Sequence, residues 1–130
     1  MSAPEQQPCV LLVEDDRSVR RYLEVTLQRS GYTVIAAADG LEAMKLALAS
    51  RIDVVVTDGV MPNLSGQELA RFLRNNPKLA HIPIVLLTGQ ENKLGAAAPD
   101  DPIDLFLYKP VSAVELAKCL GKLLQNRLRK

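Results

Sequence analysis

Five short apolar runs alternate with segments of helical periodicity, and this alternation restricts the possible folds most. The runs are "CVLLV" (9–13), "YTVIAA" (32–37), "DVVVT" (53–57), "IPIVLLT" (82–88) and "IDLFLY" (103–108). Each has strand length, and most are too continuously apolar to leave one face in water. "DRSVRRYLEVTLQRSG" (16–31) places Val19, Leu23 and Leu27 at spacings of four, with Gly31 suited to stop a helix. "DGLEAMKLALAS" (39–50) puts Leu41, Met44 and Leu48 on one helical stripe. "SGQELARFLRNN" (65–76) does the same with Leu69, Phe72 and Leu73 before Pro77. "SAVELAKCLGKLLQNRLRK" (112–130) predicts a long helix opened by a capping box, Ser112 with Glu115. Strands separated by helices predict an α/β domain whose parallel sheet is covered on both faces by right-handed crossovers.

Composition excludes several functions. With 16 basic and 15 acidic residues the net charge is +1, which gives no strong pull toward nucleic acid or an anionic membrane. Two phenylalanines, three tyrosines and no tryptophan are too few for a base-stacking platform. His81 is the only histidine, in "LAHIP", a loop entering a strand, which argues against a catalytic triad. Cys9 and Cys119 sit in apolar patterns and read as reduced core residues, although one disulfide stays open on sequence alone. No apolar run approaches transmembrane length. The polar start "MSAPEQQP" (1–8) reads as a mobile tail without signal-peptide character, so a cytoplasmic location is the default.

In a parallel sheet of this kind, ligands bind beyond the carboxyl ends of the strands. Glu14, Asp15 and Asp16 end the first run, Asp58 the third, Thr88 the fourth, and Lys109 with Pro110 the fifth. Each alone has a plain structural reading: Asp16 is a good helix N-cap, Asp58 a turn residue, Thr88 a strand former and Lys109 a surface charge. Together the carboxylates would repel one another without a counter-charge. Carboxylates with few other ligands suit Mg²⁺, with Mn²⁺ as the alternative; Mg²⁺ keeps waters and shares itself with a phosphate. A carboxylate is also a nucleophile toward phosphorus, and that chemistry needs a cation and a donor on the phosphoryl oxygens. Lys109 and Thr88 are of the right types.

From "LLVEDDRSVRRYL" through "VVVTDGVMPNLSG" and "PIVLLTGQ" to "FLYKPVSAVEL", the chain resembles response-regulator receiver domains. The resemblance covers about residues 9 to 127, with the remainder a tail at 1–8 and a chain end or linker start at 128–130. It implies a flavodoxin-like (βα)5 three-layer sandwich with strand order 2-1-3-4-5. It also implies Asp58 as phosphoacceptor, Asp15 as direct Mg²⁺ ligand, Glu14 as a direct or water-mediated one, and the Val60 backbone carbonyl as another. Thr88 would be the switch hydroxyl, Gly89 would leave the phosphate room, and Lys109 would pair with a phosphoryl oxygen. A cis peptide is implied before Pro110. Phe106 would be the aromatic whose rotamer follows the switch. Asp16, just past the acidic pair, stays an N-cap. Gly59 and Gly66 are expected to give the turn after Asp58 its geometry, stiffened by Met61-Pro62.

The implied function is that of a phosphoacceptor, not an enzyme with its own substrate. A histidine kinase or histidine phosphotransfer protein donates the phosphoryl group. A surface formed by the fourth helix, fifth strand and fifth helix then signals to an output partner. Two departures stand out. "GQENKLGAAAPDDPID" replaces a regular fourth helix, so that helix is expected to be short or irregular and dimerisation weak or absent. Val60 and Gln90 lie two residues past Asp58 and Thr88, where the family tunes dephosphorylation, and an apolar Val60 cannot orient water. Three other classes fit less well. An aspartate-nucleophile phosphatase usually carries a second aspartate two residues on, where this chain has Val60. A pseudo-receiver, docking without phosphorylation, sits badly with intact Asp15, Asp58, Thr88 and Lys109. A DNA-binding regulator in its own right would need an output domain, for which this length leaves no room. "QNRLRK" begins a linker, ends a free-standing domain, or belongs to a piece of a hybrid kinase; the sequence does not choose.

Overall fold

A computed structural model describes residues 7–61, 63–89 and 102–128. In chain order the elements are β1 (Cys9–Val13), α1 (Arg17–Arg29), β2 (Thr33–Ala37), α2 (Gly40–Ala49), β3 (Val54–Asp58), α3 (Gly66–Asn75), β4 (Ile84–Thr88), β5 (Leu105–Tyr108) and α4 (Ala113–Leu128). The strands form one parallel sheet in the order β2-β1-β3-β4-β5. This is the expected flavodoxin-like order. The short or irregular fourth helix lies outside the described residues, as do Pro62 and Gln90.

Continuous apolar runs become doubly covered strands. Alternate residues of β1 and β3 feed two separate cores. Leu11, Val13 and Val55 join Leu69, Leu73 and Ile84 on the side of α2 and α3. Val10, Leu12, Val54 and Val56 join Leu23, Leu27, Leu116 and Leu120 on the side of α1 and α4. All the residues of β3 are buried, including Asp58 at its end.

The helix boundaries follow local chemistry. Asp16 caps α1, its carboxylate accepting from Val19 N at 3.0 Å. Gly31, at φ +99°, terminates it in the left-handed region. Ser112 Oγ accepts from Glu115 N at 3.0 Å. A reciprocal capping box closes at Ser65 and Glu68 instead, a pair the sequence reading passed over.

Three expectations about faces and turns change. Of the Leu41–Met44–Leu48 stripe only Met44 packs against the core. Leu41 is 48% and Leu48 59% exposed, whereas Gly40, Ala43 and Ala47 are buried. Small residues let α2 approach β1 and α3 closely, and a leucine would hold it off. On α1, Leu23 and Leu27 are buried but Val19 is 38% exposed. In the turn after Asp58, Asn63 takes the left-handed conformation at φ 72°. Gly66 is required there for space: an added Cβ would collide with the Asp58 carbonyl and lie 2.7 Å from Leu86 Cδ1. At Gly59 the same atom would meet ordinary contacts of 3.5 Å.

Candidate functional site

The expected strand-end residues meet at the carboxyl edge of the sheet. β1 delivers Glu14 just past its last residue, and Glu14 N donates to Ala37 O at 3.1 Å, extending the pairing with β2. Glu14 is 1% exposed, and its Oε2 accepts from Asp16 N at 3.0 Å. Asp15 projects to solvent beside it. β3 delivers Asp58, 6% exposed. One carboxylate oxygen from each of Glu14, Asp15 and Asp58 lies within 4.8 Å of the other two.

Three acids this close need positive charge. Lys109, from the end of β5, puts its Nζ 3.0 Å from Asp58 Oδ1 and 3.4 Å from Glu14 Oε1. The Lys109–Pro110 peptide is cis, and Lys109 N donates to Thr88 O at 2.8 Å. Burial pulls the Lys109 ammonium down, but the carboxylates of Asp58 and Glu14 outweigh it and hold its pKa above the ordinary lysine value. Burial pushes the Glu14 carboxyl up. The Asp16 N–H opposes that rise, Asp58 adds to it, and Lys109 opposes it.

One ammonium does not saturate this cluster. Glu14 Oε1 is buried, and its near partner is the Lys109 ammonium at 3.4 Å, too long and poorly aligned for a good hydrogen bond. An all-oxygen donor set with a buried, underused carboxylate oxygen fits a hard divalent cation. Glu14, Asp15 and Asp58 are the residues that could hold it.

Other expected residues stand around this centre. Thr88 ends β4, next to β3 and paired with Tyr108 of β5. Among the described residues, a Cβ at Gly89 would meet nothing within 4 Å. Val60 is 80% exposed, and its N–H reaches Asp58 Oδ1 at 3.5 Å. Phe106, on β5, is partly buried against the core on the α2 and α3 side. Gly66 N donates to Gly59 O at 3.1 Å, closing the loop after Asp58.

Two features escaped the sequence reading. Arg20 Nη1 donates to Glu14 O at 2.8 Å and to Asp15 O at 3.5 Å. A cavity of about 270 Å³ adjoins Lys109, lined also by Val19, Tyr22, Leu23, Pro110 and Val111. Tyr22 and Val19, one turn apart and partly exposed, were its only sequence signal.

Residues 10–120 match the response regulator receiver domain family. The chain belongs to that family. Over 118 residues, 90% of this chain, the receiver domain is 38% identical to the response regulator MprA of Mycobacterium ulcerans, covering 50% of that protein. It is 33% identical over 123 residues to two others. One is the transcriptional regulatory protein AfsQ1 of Streptomyces coelicolor (50% of its length), the other the sensor histidine kinase TmoS of Ectopseudomonas mendocina (12%). The receiver domain thus spans about half the length of the regulators it matches. Among solved structures, the chemotaxis response regulator CheY4 of Vibrio cholerae superposes with a TM-score of 0.80 at 32% identity, over 92% of this chain and all of that one. A receiver domain protein from Clostridium thermocellum gives 0.81 at 26%, covering 92% and 96%. Among the described residues, no helix is long and apolar enough to cross a membrane.

Proposed function

We propose that this receiver domain accepts a phosphoryl group on Asp58 from a histidine kinase or histidine phosphotransfer protein in the cytoplasm, and so switches an output partner. The observation that carries this reading is the meeting of Asp58 with Lys109 at 3.0 Å inside a three-carboxylate cluster. An Asp58 carboxylate oxygen attacks the phosphorus of a phosphohistidine in line. The O–P bond forms as the N–P bond breaks, and the imidazole leaves and takes up a proton. Lys109 moves from its ion pair with Asp58 to a phosphoryl oxygen, keeping its counter-charge role. Glu14, Asp15, Asp58 and the Val60 carbonyl would hold Mg²⁺, which would supply neutralising charge to the phosphoryl group. Thr88 donates its hydroxyl to another phosphoryl oxygen and is drawn inward, and Phe106 turns into the space released. That is a local charge event biasing a two-state element.

The apolar cavity beside Lys109 supports the donor's approach. Val19, Tyr22 and Val111 give a protein surface something to bury within reach of the reacting edge. The same site and the names of the relatives support a signalling role over an enzyme with a separate substrate.

The test uses acetyl phosphate with Mg²⁺ and intact-mass detection, then beryllofluoride with amide shifts. Wild type should gain one phosphoryl group, and Asp58→Asn none. Beryllofluoride shifts should centre on Asp58, Thr88 and Phe106. Stoichiometric labelling of Asp58→Asn would remove the assignment. No response in wild type would favour a pseudo-receiver that docks unmodified.

A further inference from the structure

We infer that Arg20 is a positioning residue for the cation site, holding the turn that carries Glu14 and Asp15; this rests on the metal-assisted reading above. α1 begins at Arg17, so Arg20 lies in its first turn. From there the side chain reaches back over the β1–α1 connection. Its Nη1 donates to Glu14 O at 2.8 Å and to Asp15 O at 3.5 Å. A guanidinium to a carbonyl is a charge-assisted bond, stronger than a neutral one.

What Arg20 leaves alone matters as much. Ion pairs among the described residues include those of Arg74 with Asp104 and of Lys109 with Glu14 and Asp58. Arg20 is in none of them, although it stands over an acidic turn. An arginine paired with Asp15 would fill the cation site with a fixed charge. By spending its donor on main-chain oxygens, Arg20 fixes the turn and leaves the carboxylates open.

The Glu14 backbone is then held at both ends. Its N–H goes to Ala37 O at 3.1 Å, its carbonyl to Arg20, and its Oε2 takes Asp16 N at 3.0 Å. Repulsion among three carboxylates works to splay them apart, and these bonds resist it. A partner one shell out from the ligands orients them, and removing such partners lowers metal affinity.

Two effects of Arg20 oppose each other. Its positive charge repels a cation, and its hydrogen bonds pre-form the site. Arg20→Met removes both while keeping an apolar stem, so the sign of the change decides between them. MgCl₂ is titrated into the whole chain, followed by the amide shifts of Glu14, Asp15 and Asp58. Thermal unfolding in metal-free buffer runs alongside. Arg20→Met should bind Mg²⁺ roughly tenfold more weakly. Arg20→Lys, which can still donate to one carbonyl, should recover most of the loss. If Arg20→Met fails to fold, Arg20→Gln, uncharged and shorter, should show a loss in the same direction. Unchanged or tighter Mg²⁺ binding in the Met or Gln variant overturns the inference alone. A wild type that gives no Mg²⁺ response overturns the metal reading and this inference with it.

Discussion

Lys109 Nζ lies 3.0 Å from Asp58 Oδ1, although β4 separates the strands that deliver them. The pair neutralises the Asp58 carboxylate, and in the proposed reaction the same ammonium would pass to a phosphoryl oxygen. Lys109→Met leaves two buried carboxylates without that charge. It should destabilise the metal-free protein by about 1–2 kcal/mol, less than a fully buried pair would because the lysine side chain is 34% exposed. Saturating Mg²⁺ should close most of that gap. Labelling by acetyl phosphate should be on the order of 10²-fold slower. Urea unfolding with and without Mg²⁺, beside a labelling time course, checks all three. Equal labelling rates would refute the role of Lys109.

Glu14 sets a pH dependence. Its pKa in the fold is raised, chiefly by burial. The metal-free fold therefore binds this proton more tightly than the unfolded chain does. Its stability contribution falls as pH rises from the ordinary carboxylate value to the raised one. Mg²⁺ needs the ionised form, so protonation competes with it. The Mg²⁺-induced rise in Tm should be full at about pH 8 and shrink as pH falls toward the usual glutamate value of about 4.3. Thermal melts stepped down in pH check this. A shift that stays constant into the ordinary carboxylate range would count against Glu14 as a ligand.

How much of this was legible follows from where each interaction lies. The parallel sheet and the acidic edge could be read because buried strands need unbroken apolar runs, and Glu14, Asp15, Asp58, Thr88 and Lys109 sit at the ends of those runs, whereas the strand order is implied only by the family resemblance. The Arg20 clamp could not, because its partners are main-chain carbonyls that every residue has. The packed side of α2 was misread because periodicity weights large apolar side chains, and this interface selects small ones. Gly59 and Gly66 look alike in sequence, and the nearness of the Asp58 carbonyl and Leu86 to Gly66 separates them.

That separation is testable. Gly66→Ala would press a methyl against the Asp58 carbonyl and Leu86. It should cost about 1–3 kcal/mol and, if Asp58 is phosphorylated as proposed, slow that step, because the Asp58 backbone has to move. Gly59→Ala, whose new atom would meet Leu86 Cδ2 at 3.5 Å, should cost less than about 1 kcal/mol. Chemical denaturation of both variants gives the ordering. A Gly59→Ala variant less stable than Gly66→Ala would mean that this turn is held differently.

The α2 face gives the last prediction. Leu48 is 59% exposed, so Leu48→Ala loses little burial and gains helix propensity. Its stability should stay within about 0.5 kcal/mol of wild type. Ala47 is 1% exposed, and Ala47→Leu must force extra carbons between α2 and its neighbours. That overpacking should cost about 1–3 kcal/mol. Had the leucine stripe been core, Leu48→Ala would instead cost about 2–5 kcal/mol by opening a cavity. Urea midpoints of the two variants separate the arrangements, because the two packings reverse their order of stability.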